Sequence, residues 1–201
     1  LDFPLYLLDG SSIKDRSAYG HLGVVTGALW TPRGRSFDGV DDRINCGDNT
    51  ALDLNRMTLE AWIKLSELGI RHAIVDRDDT TNRNFRFWVD LNNTLYVQFW
   101  VSDVIKDMPG TSTLAANIWY HTVFTYDKNY MRLYINRVQE PSPTAETGDV
   151  DNDNVSLFIG ISASLGTIIM KGIIGEVRCY NRALNPLEIS RNFLATKWRY
   201  R

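Results

Sequence analysis

From Phe85 to Ser102 apolar and polar residues trade places with a period of two. Phe85, Phe87, Val89 and Leu91 alternate with Arg86, Trp88 and Asp90. Beyond Asn92-Asn93-Thr94, Leu95, Val97, Phe99 and Val101 alternate with Tyr96, Gln98, Trp100 and Ser102. Successive side chains of a strand point to opposite faces, so this predicts a hairpin with an oily inner face and an outer face rich in rings. The same period runs through 119–126 and 131–136, on either side of Asp127-Lys128-Asn129. There Thr122, Phe124, Tyr126, Met131, Leu133 and Ile135 read as inward, and His121, Val123, Thr125, Arg132, Tyr134 and Asn136 as outward. In 58–65, Leu59, Ala61 and Ile63 are core, leaving Glu60, Trp62 and Lys64 outside. Further strands are predicted over 1–8, 36–46 (bent at Asp38-Gly39), 72–76, 155–161 and 172–180. Residues 9–27 read as a long ordered loop, 76–84 as a charged hairpin loop and 141–154 as a mobile loop.

One helix closes the chain. Asn185 suits an N-cap, Pro186 the first helical position, and Glu188 completes a capping box, with Leu184 and Ile189 placed to staple the first turn. No repeat or linker interrupts the pattern, so residues 1–201 form one domain. The predicted fold class is all-β, a two-sheet antiparallel sandwich with a short C-terminal helix.

The stretch Gly172-x-Ile-x-Glu176-Val-Arg-x-Tyr180-Asn-Arg-Ala-Leu184, with its capped Glu188-Ile189, resembles the closing signature of laminin G-like, concanavalin A-type jelly-roll domains. Residues 36–46 (SFDGVDDRINC), 57–65 (MTLEAWIKL), 119–136 (WYHTVFTYDKNYMRLYIN) and 156–160 (SLFIG) agree in order and spacing. The family usually has Asp at Gly175, Gly at Arg137 and an aliphatic residue at Cys179. The resemblance implies a jelly roll. It leaves function open, because the superfamily holds lectins, adhesion modules, enzymes and virion proteins. It also implies that Cys46 and Cys179 lie in one sheet. By themselves they read as two buried free thiols acting as small hydrophobes, a disulfide between them being the alternative.

Composition narrows the partners. With 44% hydrophobic residues, the 201-residue chain has enough apolar surface for a large core. A net charge of −2 without a basic face argues against nucleic acid, and no apolar run reaches the length of a membrane span. The chain does not start with Met, which suggests a mature product or an excised domain.

Three kinds of chemistry deserve weighing. The outward set Trp62, Trp88, Tyr96, Trp100 and Tyr134, among Gln98, His121, Arg132 and Asn136, reads as one sheet face suited to a saccharide. Rings stack on the sugar's C–H face while amides and charged groups take its hydroxyls. The expected ligand site is therefore Trp88, Tyr96, Gln98, Trp100, His121, Arg132, Tyr134 and Asn136. The family resemblance implies a structural calcium near Asp15 and Glu176, although Gly175 stands where a second carboxylate is usual. Asp149, Asp151 and Asp153 begin like an EF-hand, but Asn154 and Gly160 stand where that loop needs Gly and Glu. As for hydrolysis, none of the six glutamates has an Asp two residues later, so the laminarinase-type strand motif is missing. Only Glu60 and Asp90 offer a carboxyl pair, and the three histidines lack a nucleophile partner. No catalytic residue is assigned. The expected protein is a non-catalytic binding module, extracellular or on a virion surface, recognising a glycan or other cell-surface ligand. The alternative is a virion or surface-layer building block acting through subunit contacts, as a homo-oligomer or larger assembly.

Overall fold

Sixteen strands pair into two antiparallel sheets in the computed structural model, which describes residues 1–8, 10–79, 81, 83–162 and 168–201, with backbone alone for Pro141. In chain order the strands are β1 (Asp2–Phe3), β2 (Ser12–Lys14), β3 (Leu22–Thr26), β4 (Leu29–Thr31), β5 (Gly34–Asp38), β6 (Arg43–Asn45), β7 (Met57–Leu65) and β8 (His72–Arg77). There follow β9 (Phe85–Val89), β10 (Leu95–Val101), β11 (Val104–Pro109), β12 (Trp119–Tyr126), β13 (Tyr130–Ile135), β14 (Val138–Ala145), β15 (Phe158–Ile159) and β16 (Lys171–Tyr180). The helix α1 spans Pro186–Thr196. The first sheet runs β14-β13-β12-β7-β16-β5-β4, with β1 also on β16, and the second runs β11-β10-β9-β8-β15-β6-β3-β2.

The odd residues of the β9–β10 hairpin do enter the core. Phe85, Phe87, Val89, Leu95, Val97 and Phe99 are buried against Leu59, Ile63, Phe124, Leu133, Ile174 and Val177 of the opposite sheet. Truncating one of these phenylalanines would cost about 3–5 kcal/mol, because packing around the vacated volume relaxes only in part. Leu91 is the exception. It lies past the end of β9, in the turn, and is 52% exposed.

Several boundaries differ from the sequence reading. Only 2–3 of the opening 1–8 segment pair as a strand. The 9–27 loop contains the hairpin β2–β3, whose Leu22 and Val24 face solvent. The 76–84 loop begins only after β8, and its residues 80 and 82 lie outside the described residues. Residues 141–145 continue β14, and β11 follows β10 through Ser102 and Asp103, both with positive φ. That is the backbone hairpin turns require, here without the usual Asn-Gly. The Asp151 carboxylate accepts from both turn amides, at 2.9 and 2.8 Å, and supplies what the sequence lacks locally. Asn136 and Arg137 make the corresponding turn before β14, also at positive φ. This explains why glycine suits position 137.

The capping box forms as expected. Glu188 N donates to Asn185 Oδ1 and Asn185 N to Glu188 Oε2, at 3.0 and 2.9 Å, with Pro186 in the first turn. The helix covers the outer face of the first sheet. Leu184 and Ile189 bury Val123 and Tyr134, while Trp62, Trp119 and Tyr200 form a second cluster with Phe193 against it. Gly175 lies under the Tyr200 ring, where a Cβ would stand 2.3 Å from the ring edge. The packed tail therefore excludes an aspartate at this position. Cys46 follows β6 in the second sheet and Cys179 belongs to β16 in the first, so the single-sheet placement is corrected. Both are free and buried.

Candidate functional site

The expected single ring-bearing face does not exist as one surface. β9 and β10 are in the second sheet, whereas β7, β12 and β13 are in the first. Trp88, Tyr96, Gln98 and Trp100 therefore lie on the opposite side of the sandwich from Trp62, His121, Arg132, Tyr134 and Asn136. Alternation gives the parity of a side chain but not the sheet to which its strand belongs.

On the second sheet, register builds the site row by row. Tyr96 pairs with Trp88, and Gln98 pairs with Arg86 on one side and Asp107 on the other. The rings of Trp88 and Tyr96 stack with centroids 4.6 Å apart. Beside them runs a polar ladder. The Arg86 guanidinium pairs with Asp78, lies 3.8 Å from Asp76 and donates to Gln98 Oε1 at 3.1 Å; Gln98 Nε2 in turn donates to Asp107 at 2.8 Å. Trp100 lies against the Arg86 guanidinium at 5.0 Å. Arg71 closes the rim through Asp90 at 2.9 Å. A cleft of about 250 Å³ opens here, walled by Arg71, Arg86, Trp88, Asp90, Tyr96, Gln98 and Ile168.

Both tryptophans are less open than their parity implies. Trp88 and Trp100 are 8% and 6% exposed, covered within the chain itself. Tyr96 is the half-buried ring that a ligand would meet first. The Trp88 indole N–H is buried and has no acceptor among the described residues, while the Trp88 side chain lines the cleft. A buried donor left without a partner is costly. Burial drives the Asp76 carboxyl up to about 7, against the hydrogen bond from Ser162 and the charge of Arg86. Burial and the neighbouring Asp107 and Asp90 likewise push the Tyr96 phenol up. Arg71, Arg86 and Asp90 were not assigned to the site from sequence, yet the fold brings them to its walls, with Asp107 beside Tyr96. The outward parity of Arg86 and Asp90 was the available signal.

On the first sheet, helix α1 takes the space that a ligand would need. His121 is fully buried, its Nε2 2.8 Å from Glu60 Oε1, and Asn192 of the helix donates to Glu60 Oε2 at 2.9 Å. Burial pushes the Glu60 carboxyl up, but His121 and the Arg178 guanidinium outweigh it and hold it below its ordinary range. Tyr134 is 2% exposed, and Asn136 spends its side-chain oxygen on the His121 amide. Arg132 pairs with Asp127 at 2.8 Å on the wall of a separate cleft beneath Asn185 and Pro186. Glu60 and Asp90, the carboxyl pair considered for hydrolysis, belong to opposite sheets.

Asp15 and Glu176 do not offer the oxygens that calcium needs. Asp15 Oδ1 accepts from the amides of Asp2 and Ser17, and Oδ2 from the Ser17 hydroxyl at 2.6 Å and the His21 amide. Burial alone would raise this carboxyl, but those bonds hold it below its ordinary value. Glu176 faces Arg178 at 2.9 Å and Arg16 at 3.4 Å, and burial leaves it raised. Calcium prefers six to eight oxygen ligands. These two carboxylates are instead occupied by protein donors and cations, a donor set that does not fit the ion.

The chain is thus a two-sheet jelly roll backed by a helix, with a ring-and-amide cleft on its other sheet. Residues 38–190 match the laminin G-like family of the concanavalin A-like lectin/glucanases superfamily, and the chain belongs to that family. Among solved structures it is similar to the binding domain of Botulinum Neurotoxin DC in complex with SialylT (TM-score 0.74, 16% identity, 97% of this chain and 50% of that one). It is similar as well to the binding domain of Paraclostridial Mosquitocidal Protein 1 (0.73, 17%, 96% and 51%). A third is domain 4 of AbnA, an extracellular arabinanase of Geobacillus stearothermophilus, in complex with arabinotriose (0.61, 19%, 90% and 81%). The chain spans about half the length of the first two. A comparison with curated proteins gives no match. Among the described residues no helix is long and apolar enough to cross a membrane.

Proposed function

We propose that this chain is a non-catalytic carbohydrate-binding module acting outside the cell, with its sugar site in the cleft over β9 and β10. The observation that carries the reading is the Trp88–Tyr96 stack on the cleft wall, with Gln98, Asp90 and Arg71 around it. A pyranose or furanose ring resting on Tyr96 would place its hydroxyls toward the carboxylate and amide rim. Two of the structural neighbours are saccharide complexes, which supports the reading by analogy.

Titrating the protein with a panel of oligosaccharides while following tryptophan emission tests it. At least one saccharide should bind, and Tyr96→Ala should weaken that binding about five- to tenfold, the scale expected for losing one stacking ring. Silence across the whole panel, or unchanged affinity in the Tyr96 variant, would remove the site.

A further inference from the structure

We infer that the cleft selects uncharged saccharides and rejects sugars bearing a carboxylate or sulfate. This inference rests on reading the cleft as a sugar site, and it follows from how the charges there are already committed. Recognition of an acidic sugar needs a cation free to turn toward it, typically the planar fork of an arginine. The cleft holds two guanidiniums, Arg71 and Arg86. Arg86 is held by Asp78, donates to Gln98 Oε1 and has Trp100 against its face. Arg71 is exposed at the rim, but its charge is balanced by Asp90 at 2.9 Å. Asp107, which receives the Gln98 amide, adds another negative group beside Tyr96. Against the two cations therefore stand three carboxylates, Asp78, Asp90 and Asp107, before Asp76 is counted.

Such a rim suits hydroxyl groups. Carboxylates only accept hydrogen bonds, and a sugar's hydroxyls donate as readily as they accept. Asp90 on the cleft wall and Asp107 beside Tyr96 are placed to accept, while Arg71 at the rim supplies donors. A ligand carboxylate would meet like charge at the rim and find the exposed Arg71 guanidinium already balanced by Asp90. Juxtaposed like charges disfavour a wrong partner without any steric clash.

The test uses matched glycans that differ only by a terminal sialic acid, for example lactose and sialyllactose, with a wider set of neutral and acidic oligosaccharides, read by calorimetry or glycan array. Neutral members should bind at least about fivefold more tightly than their acidic counterparts at low salt. The gap should narrow at about 0.5 M salt, as screening shortens the reach of the rim charges. Asp90→Asn, which frees Arg71 while preserving shape, should improve binding of the acidic member several-fold and weaken that of the neutral one. Tighter wild-type binding of the acidic members overturns the inference and leaves the sugar site standing. Binding of neither kind removes the site and the inference together.

Discussion

Asp76 carries an uncommon burden for a surface-sheet carboxyl. It is 2% exposed, opposite Arg86 in register and within reach of Asp78 and Ser162. Its folded-state value of about 7 lies above the 3.8 of an ordinary aspartate, because burial outweighs the help of Ser162 and Arg86. The folded protein therefore holds a proton that the unfolded chain releases. The stabilisation is complete below about pH 4 and is lost as pH rises through 7. Denaturant titrations should show this group contributing on the order of 1–3 kcal/mol more stability at pH 5 than at pH 8. Asp76→Asn should flatten that difference. An unaltered pH profile in the variant would assign the titration elsewhere. At the same scale, Leu91 shows the limit of parity: the rule holds while the residue is in a strand and lapses one residue into the turn.

Among the elements, α1 decides which face of the molecule is available. Its start is locally encoded, with Asn185 and Glu188 satisfying each other's backbone amides and Arg182 bracing Glu188 through both carboxylate oxygens. Asn185→Ala should cost about 1 kcal/mol, the usual value of an N-cap, with little change elsewhere. Thermal denaturation checks the cost, and retained sugar binding would show that the cleft on the other sheet is independent of the cap. The helix also accounts for the burial of His121 and Tyr134. They have the outward parity of site residues, yet they support a docked element. The hairpin turn at Ser102-Asp103 belongs to this scale too. Its positive φ values are held by Asp151, forty-eight residues beyond Asp103, so no local pattern announces β11.

At the scale of the whole molecule, the two sheets close around one continuous core, and the cysteines report on it from both sides. Cys46 and Cys179 are free, buried and on opposite sheets, and burial drives both thiols well above their ordinary range. A buried thiol that holds its proton is a poor nucleophile. Neither should react with a thiol reagent in the native protein, and both should become reactive together at the rate of global unfolding. Fast labelling of one cysteine alone would reveal local opening of the sheet that carries it. The same closure keeps Glu60 and Asp90 apart, with the core between the faces they occupy.

What the sequence determined by itself is short-ranged. Period-two alternation fixed the inward residues of β9, β10, β12 and β13, since strand geometry makes side-chain direction a local property. Cap chemistry fixed the start of α1 for the same reason. Trp88, Tyr96, Gln98 and Trp100 were legible as neighbours because a tight hairpin joins the strands that carry them. His121, Arg132, Tyr134 and Asn136 were grouped with them because parity is the same in either sheet. Only the pairing of β7 with β12 and β16, and of β8 with β9 and β15, assigns each strand to its side of the sandwich. Apart from the β8–β9 hairpin, those contacts join residues far apart in the chain. Their register is selected by burial of the whole core, and no single segment carries that information. Tertiary structure likewise decided that the helix would cover the rings of the first sheet, and that on the second Tyr96 would stay half-buried beside a cleft.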